Sequence, residues 1–242
     1  MGREFEIRRE IDLPATPERV WEAITTRRGM AGWFGDQEPI PPGLTPAVWE
    51  PPHHLRIELP AAPDGSIQAF EYVIEGREGG RARLRFVHSG FLSQSWEGEF
   101  DFEELTGRGW DMYLHTLAEY LAHFEGRSAT YVTVDAPPAS ADASAWPALL
   151  AALALRDGVA EGDPVRVALE GLSPIEGVAD YVSSNFLGVR ADDALFRFHG
   201  RAALRMPIAI GHHLFAAGVD AERERDAWRS WLARVFGHDP MP

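Results

Sequence analysis

One supersecondary plan occurs twice in this chain, and the repetition limits the possible fold more than any other feature. Residues 5–13 alternate in the manner of a strand, and Thr16 and Pro17 then suit an N-cap and a first helical position. Residues 129–134 form a second run that is rich in β-branched residues. Residues 136–138 follow, and another apolar helix pattern comes after them. The chain is therefore predicted to start the same fold twice.

Both halves also end alike. A long amphipathic stripe stops at Gly126 in the first half, and a second stripe stops at Gly237. A length of 242 residues is enough for two domains with cores of their own. We therefore predict a first α+β domain over residues 1–126. Residues 127–242 are predicted to form a second, smaller α+β lobe that is a candidate degenerate repeat of the first.

Three alternating runs in the first half, at 54–59, 67–75 and 81–88, are typical of strands with one polar and one apolar face. Such runs predict an antiparallel sheet with one face exposed to solvent and the other covered by the core. The predicted cover is a helix over residues 98–125, whose apolar side chains recur at three- and four-residue spacing. They are Trp110, Tyr113, Leu114, Leu117, Leu121 and Phe124.

The second half predicts the same kinds of element. Because proline is tolerated only in a first turn, Pro147 places a helix start near Ser144, and this helix is expected to reach about Leu155. Asp220 is the expected N-cap of the last helix. The expected buried stripe of that helix is Ala221, Trp228, Trp231, Leu232 and Val235. The strand-like runs are 164–170, 176–183, 185–190, 194–200 and 207–215.

Composition excludes several classes of function. The net charge of −14 disfavours phosphate backbones and anionic lipid, so we expect no nucleic-acid and no membrane partner. The absence of cysteine excludes disulfides, zinc–thiolate sites and a cysteine nucleophile, and it fits a reducing cytosol. The N-terminus has no apolar signal core, and no stretch approaches a membrane span of roughly 20 apolar residues. We expect a cytoplasmic protein.

Four motifs of the first half carry a family resemblance: residues 14–21 (PATPERVW), 33–35 (WFG), 88–91 (HSGF), and Gly109-Trp110 with the apolar helix positions that follow. They resemble the heat-shock-protein-90 ATPase activator homologue family of the START-like (SRPBCC) superfamily, which also contains the birch-pollen allergen. The resemblance covers residues 1 to about 126. It implies a helix-grip fold, in which a curved antiparallel sheet surrounds a long C-terminal helix and leaves a cavity. None of these motifs is catalytic in that family.

The predicted site is the space between this sheet and helix, because apolar ligand sites combine aromatic walls with few polar anchors. Its predicted residues are Trp33, Phe34, Trp49, Phe70, Tyr72, Leu84, Phe86, His88, Trp110, Tyr113 and Leu117. His88 is expected to end its strand on the covered side, where it can hydrogen-bond a ligand or transfer a proton near neutral pH. The alternative is a packed histidine that bonds a backbone carbonyl near a turn at Ser89-Gly90.

The sequence favours a non-catalytic START-like protein that binds a hydrophobic or amphipathic small molecule and needs no cofactor. No metal is expected, because the adjacent histidines of each pair, 53–54 and 212–213, point to opposite faces of a strand. Two alternatives stay open. One is a protein-interaction module, linked to a chaperone and the stress response or to another protein. The other is a cyclase- or dehydratase-type enzyme with His88 as general acid or base.

Overall fold

The computed structural model describes residues 2–93, 101–155 and 158–237. These residues form two antiparallel sheets and five α-helices, which confirms the predicted α+β class. The chain divides into two compact units, unit 1 over Met1–Arg127 and unit 2 over Ser128–Pro242. No helix in the described ranges combines the length and the apolar composition needed to cross a membrane.

Unit 1 contains a five-stranded sheet with the order β1-β5-β4-β3-β2, so its first strand pairs with its last. Its elements are β1 (Arg3–Leu13), α1 (Pro17–Thr25), α2 (Arg27–Ala31), β2 (Val48–Glu50), β3 (His54–Glu58), β4 (Ile67–Arg77), β5 (Arg81–Leu92) and α3 (Phe102–Glu119). A π-helical segment, Tyr120–Phe124, continues α3. The predicted strands are present, and β5 runs to Leu92 rather than ending at His88.

Helix α3 packs on β1 and covers the apolar face of the sheet, as predicted. It begins after Asp101, whose side chain accepts a hydrogen bond from the Glu104 N–H at 3.0 Å, while predicted helical residues 98–100 lie outside the described residues. The buried side chains of α3 and of the π-helical segment include the predicted Trp110, Leu114, Leu117, Leu121 and Phe124. They also include Met112 and Thr116, so the helix is covered over more of its circumference than one stripe.

An arginine on the inner face of β1 fixes α3 to the sheet. Arg9 occupies a position in the otherwise apolar stripe, and its guanidinium is bonded to the carboxylate of Asp111, with a second contact between Nη2 and Oδ2 at 3.2 Å. Gly107 leaves the space for this side chain, because a Cβ there would lie 2.6 Å from Arg9 Nη2. The glycine in the middle of α3 is therefore a packing requirement of the ion pair.

Unit 2 contains a six-stranded sheet with the order β6-β11-β10-β9-β8-β7. Its elements are β6 (Thr130–Asp135), α4 (Ala145–Ala152), β7 (Pro164–Val167), β8 (Ile175–Val182), β9 (Phe186–Ala191), β10 (Ala194–His199), β11 (Ala209–Leu214) and α5 (Ala221–Phe236). The Asp220 side chain accepts hydrogen bonds from two N–H groups of the first turn of α5, as its N-cap position predicted. Helix α4 and strand β7 are three residues shorter at their C-terminal ends than predicted.

The two units share one topology. In each sheet the first strand lies beside the last, the remaining strands follow in reverse chain order, and the last helix packs on the first strand. Unit 2 is the shorter unit, yet its sheet has one strand more. The buried stripe of α5 also differs from the prediction, because Phe236 is buried whereas Ala221 and Val235 are only half-buried.

Candidate functional site

The predicted site of unit 1 is centred on Trp110 of α3, which three phenylalanine rings surround. Phe86 of β5 lies 4.3 Å from the Trp110 ring, measured between centroids, and Phe70 of β4 lies 5.9 Å away. Phe34, which follows α2, stacks on Trp110 at 5.6 Å with an interplanar angle of only 3°. The sheet, the helix and the segment after α2 therefore meet through aromatic contacts.

The predicted residues divide by burial into a base and a rim. The fully buried base consists of Trp33, Leu84, Phe86 and Leu117, with Tyr72 next to Phe86 at 5.1 Å. The rim consists of Phe34, Phe70 and Tyr113, which are half-buried. We call the eight ring-bearing residues of this group the aromatic seam: Trp33, Phe34, Phe70, Tyr72, Phe86, His88, Trp110 and Tyr113.

Trp49 lies outside the aromatic seam. It sits on the edge strand β2, is 48% exposed, and among the described residues has ring contact only with Trp21, at 5.0 Å. The sequence placed Trp49 in the site because it is an aromatic residue in the first half. In the order of strands in the sheet, β2 is at the edge opposite β1. The periodicity of a local segment does not reveal this position.

His88 has both ring nitrogens in hydrogen bonds. Nδ1 accepts from Trp110 Nε1–H at 3.1 Å, so the ring proton is on Nε2, which donates to Gln68 Oε1 at 3.0 Å. The Phe70 ring stacks on the imidazole at 4.5 Å, and Phe5 contacts its edge at 5.0 Å. Burial lowers the pKa of His88 to about 4, so the ring is neutral at neutral pH.

One expectation about His88 is wrong and another holds only in part, because the imidazole is packed with both nitrogens bonded, but to other partners than expected. The histidine does not end its strand, because Ser89 and Gly90 remain in β5 and pair with both neighbouring strands. Its hydrogen-bond partners are the side chains of Trp110 and Gln68 rather than a backbone carbonyl. Gln68 could have been found from the sequence, since it shares the inner face of β4 with Phe70.

Replacing Trp110 by phenylalanine tests this hydrogen bond. The variant keeps an aromatic ring but leaves the buried Nδ1 of His88 without its donor, so we expect a loss of about 1–3 kcal/mol in the free energy of unfolding at pH 7. Urea denaturation followed by circular dichroism measures the loss. Trp21→Phe is the matched control, because Trp21 is only half-buried. A Trp110→Phe variant as stable as this control would contradict the described bond.

The outer face of the unit 1 sheet is charged but internally neutralised. Arg83 bonds Asp12 at 2.8 Å and approaches Glu10 at 3.2 Å, and Arg85 bonds Glu75 at 2.6 Å. Arg81, Arg83 and Arg85 alternate along β5 on this outer face. Cross-strand carboxylates remove most of their positive field, so this face offers little to an acidic partner.

Neither histidine pair belongs, among the described residues, to a larger group of possible metal ligands. The Nε2 atom of His54 lies 2.7 Å from a carboxylate oxygen of Glu71, and the Nδ1 atom of His53 lies 3.2 Å from the Ile74 carbonyl oxygen. Within the described ranges, no group of three or more histidine, aspartate or glutamate side chains is placed to hold a metal ion.

A scan against models of known protein families gives no match, and a search of curated protein sequences also gives none. Solved structures do match. The Aha1 dimer protein of Colwellia psychrerythraea is 19% identical, with 48% of this chain and 96% of that chain covered and a TM-score of 0.39. DynU16, from the dynemicin biosynthetic locus, is 18% identical, with 96% and 98% covered and a TM-score of 0.39.

The di-domain ARO/CYC protein BexL, from the BE-7585A biosynthetic pathway, is 12% identical, with 96% of each chain covered and a TM-score of 0.36. All three identities are below 20%, and all three TM-scores are below 0.5. The function must therefore be argued from the residues of this chain.

Proposed function

We propose that unit 1 binds a hydrophobic or amphipathic small molecule at the aromatic seam, without catalysing a reaction on it. The observation that carries this proposal is the half-buried rim of Phe34, Phe70 and Tyr113 over the buried Trp110. Rings that contact one another from three separate elements can exchange those contacts for contacts with an apolar ligand. The seam would then open at its rim while its base stays packed.

The state of His88 favours binding over acid–base catalysis. A general base near neutral pH needs a free nitrogen, whereas both nitrogens of His88 are engaged and its pKa lies near 4. A cyclase or dehydratase using His88 would first have to break the Trp110 or Gln68 hydrogen bond inside a buried cluster. Tyr113 at the rim and Gln68 on the inner face of β4 carry polar groups that suit one or two polar atoms of an amphipathic ligand.

Thermal denaturation with a panel of fatty acids, sterols and flat aromatic acids tests the proposal. A ligand that binds only the folded state stabilises it by about 2.7 kcal/mol at 100 times its dissociation constant, which raises the melting temperature by several degrees. Tryptophan fluorescence should change with the same concentration dependence, because Trp110 lies in the seam. An unchanged melting temperature across the whole panel would contradict the proposal.

Variants of the rim locate the binding site. Phe34→Ala and Phe70→Ala remove half-buried rings that stack on Trp110 and His88, so each should weaken binding by roughly tenfold if the ring contributes about 1.4 kcal/mol. Trp49→Ala is the matched control, because Trp49 is an exposed aromatic residue outside the seam. Equal affinities in all three variants would place the ligand elsewhere.

An interaction module is a second candidate function, and one surface feature favours it. Ile67 and Phe91 are directly paired across β4 and β5, and both are unusually exposed for apolar residues, at 45% and 38%. Together they form a small apolar patch on the outer face of the sheet. Retention of a protein partner by the native chain but not by Ile67→Glu/Phe91→Glu would support this candidate over the small-molecule proposal.

A further inference from the structure

Unit 2 contains a groove with a volume of about 420 Å³ beside the N-terminal half of α5. Its floor is apolar and consists of Phe196 on β10, Leu214 on β11 and Trp228 on α5. The segment before β8, residues 172–174, lines it together with Val219, which precedes α5. The groove therefore has aromatic and aliphatic surfaces on several elements, as small-molecule sites commonly do.

The rim of this groove is acidic. Four carboxylates line it, and no arginine or histidine does. They are Glu176 on β8, Asp192 and Asp193 in the β9–β10 turn, and Glu224 on α5. Within the part of the chain that the structure describes, Glu176, Asp193 and Glu224 make no ion pair. Strand β8, the β9–β10 turn and helix α5 thus each bring one of these three carboxylates to the edge of one apolar groove.

The groups beneath the floor add no opposing charge. His212 lies against Trp228 and Phe196, with ring centroids 4.5 Å and 5.0 Å away. Its Nδ1 accepts from the Arg197 N–H at 3.1 Å, so the ring proton is on Nε2, and burial lowers the pKa of His212 well below its ordinary value. The Arg197 side chain is held by Asp180 at 2.7 Å. Two exposed arginines lie near the rim carboxylates: Arg223 lines an adjoining groove together with Glu224 and Asp220, and Arg166 of β7 is opposite Glu176 in the β7–β8 register.

From this charge complementarity we propose that the groove binds a small organic cation with an apolar body, such as an aromatic or aliphatic amine. The apolar body packs on Phe196 and Trp228, and the ammonium group lies among the carboxylates of the rim. An ammonium beside an aromatic face gains a further cation–π attraction. An anion of the same shape is repelled by the rim. The site is independent of the aromatic seam of unit 1, and neither proposal depends on the other.

Calorimetric titration of the full chain with three probes that share a phenylethyl body tests the charge selectivity. The probes are 2-phenylethylamine, a cation at pH 7, the neutral 2-phenylethanol and the anionic 3-phenylpropionate. We expect the amine to bind most tightly and the carboxylate most weakly. The amine's affinity should fall as sodium chloride rises from about 50 to about 500 mM, because salt screens charges at an exposed rim.

Substitutions locate the site and separate it from the protein's general negative charge. Asp193→Asn/Glu224→Gln removes two rim charges, so amine affinity should fall at least roughly fivefold, about the attraction of one exposed charge pair. Glu222→Gln is the matched control, because Glu222 also lies in the first turn of α5 but does not line the groove. Ala216→Trp fills the groove from its exposed edge and should abolish amine binding without removing charge.

Three results would overturn the proposal. One is an amine that binds no better than the alcohol or does not bind at millimolar concentration. Another is an amine affinity that Asp193→Asn/Glu224→Gln leaves unchanged, or lowers no more than Glu222→Gln does. The last is full amine binding by a folded Ala216→Trp variant, which would place the amine outside this groove. Circular dichroism verifies that each variant is folded.

Discussion

Asp180→Ala should destabilise unit 2 by about 3–5 kcal/mol, the usual cost of breaking a buried ion pair by removing one partner. Arg197 donates from Nη1 to Asp180 Oδ1 at 3.0 Å and from Nη2 to Oδ2 at 2.7 Å. The two side chains are only 2% and 4% exposed. Without the carboxylate, the guanidinium keeps its charge in a buried position and loses both bonds of this bidentate contact.

Urea unfolding of the full chain, followed by circular dichroism, measures the effect as a shift of the transition midpoint. Asp226→Ala is the matched control, because Asp226 and Arg229 form an exposed pair on α5 and its loss should change stability by less than about 0.5 kcal/mol. The double variant Asp180→Leu/Arg197→Met should recover much of the loss, since it removes both charges and fills the space with apolar groups. A loss below 1 kcal/mol in Asp180→Ala would contradict the role of the pair.

The Arg197–Asp180 pair also shows why part of the fold is hidden from sequence reasoning. The two residues lie on β10 and β8, which are separated by β9. Gly188 of β9 leaves the room for the contact, because a Cβ there would lie 2.7 Å from Arg197 Nη1 and 3.1 Å from Asp180 Oδ1. A register shift between Ala179 and Tyr181 then sets the position of Asp180. None of these conditions is visible in a local pattern.

The elements themselves follow from local patterns and could be predicted. Period-two alternation gives β3 and β4 to within a few residues, and helical spacing gives the described part of α3. The missed C-terminal extension of β5 has a physical cause. Ser89 and Gly90 are poor strand formers, but both are paired with β1 on one side and β4 on the other, and two ladders outweigh local propensity.

Polar partners across the core could not be predicted in the same way. His88 was placed correctly on the covered face, yet its bonds to Gln68 and Trp110 depend on the β4–β5 register and on the rotation of α3 over the sheet. The same holds for Arg9, whose partner Asp111 is 102 residues away in the chain. The structure therefore brings ten of the eleven predicted residues together, all except Trp49, whereas the hydrogen-bond partners of His88 differ from those expected.

The buried histidines should make the protein acid-sensitive well above the range where most carboxylates titrate. Burial lowers the pKa of His88 from 6.5 to about 4 and that of His199 to about 3, and it lowers that of His212 in the same direction. Above pH 6.5 these rings are neutral in both the folded and the unfolded states. As the pH falls below 6.5, the unfolded state binds protons that the folded state excludes, so stability is lost down to about pH 4 for His88 and about pH 3 for His199.

For His88 alone, a shift of this size corresponds to about 3 kcal/mol lost between pH 6.5 and pH 4. The urea midpoint of the native chain should therefore fall steeply over this range. His88→Gln keeps a polar group that can bond Trp110 and Gln68 but cannot titrate, so its midpoint should start lower at pH 7 and fall less steeply. The difference between the two chains isolates His88 from the carboxylates that titrate near pH 4. Parallel pH profiles for both would show that His88 takes up its proton equally in the folded and unfolded states, contrary to its enclosed position beside Trp110.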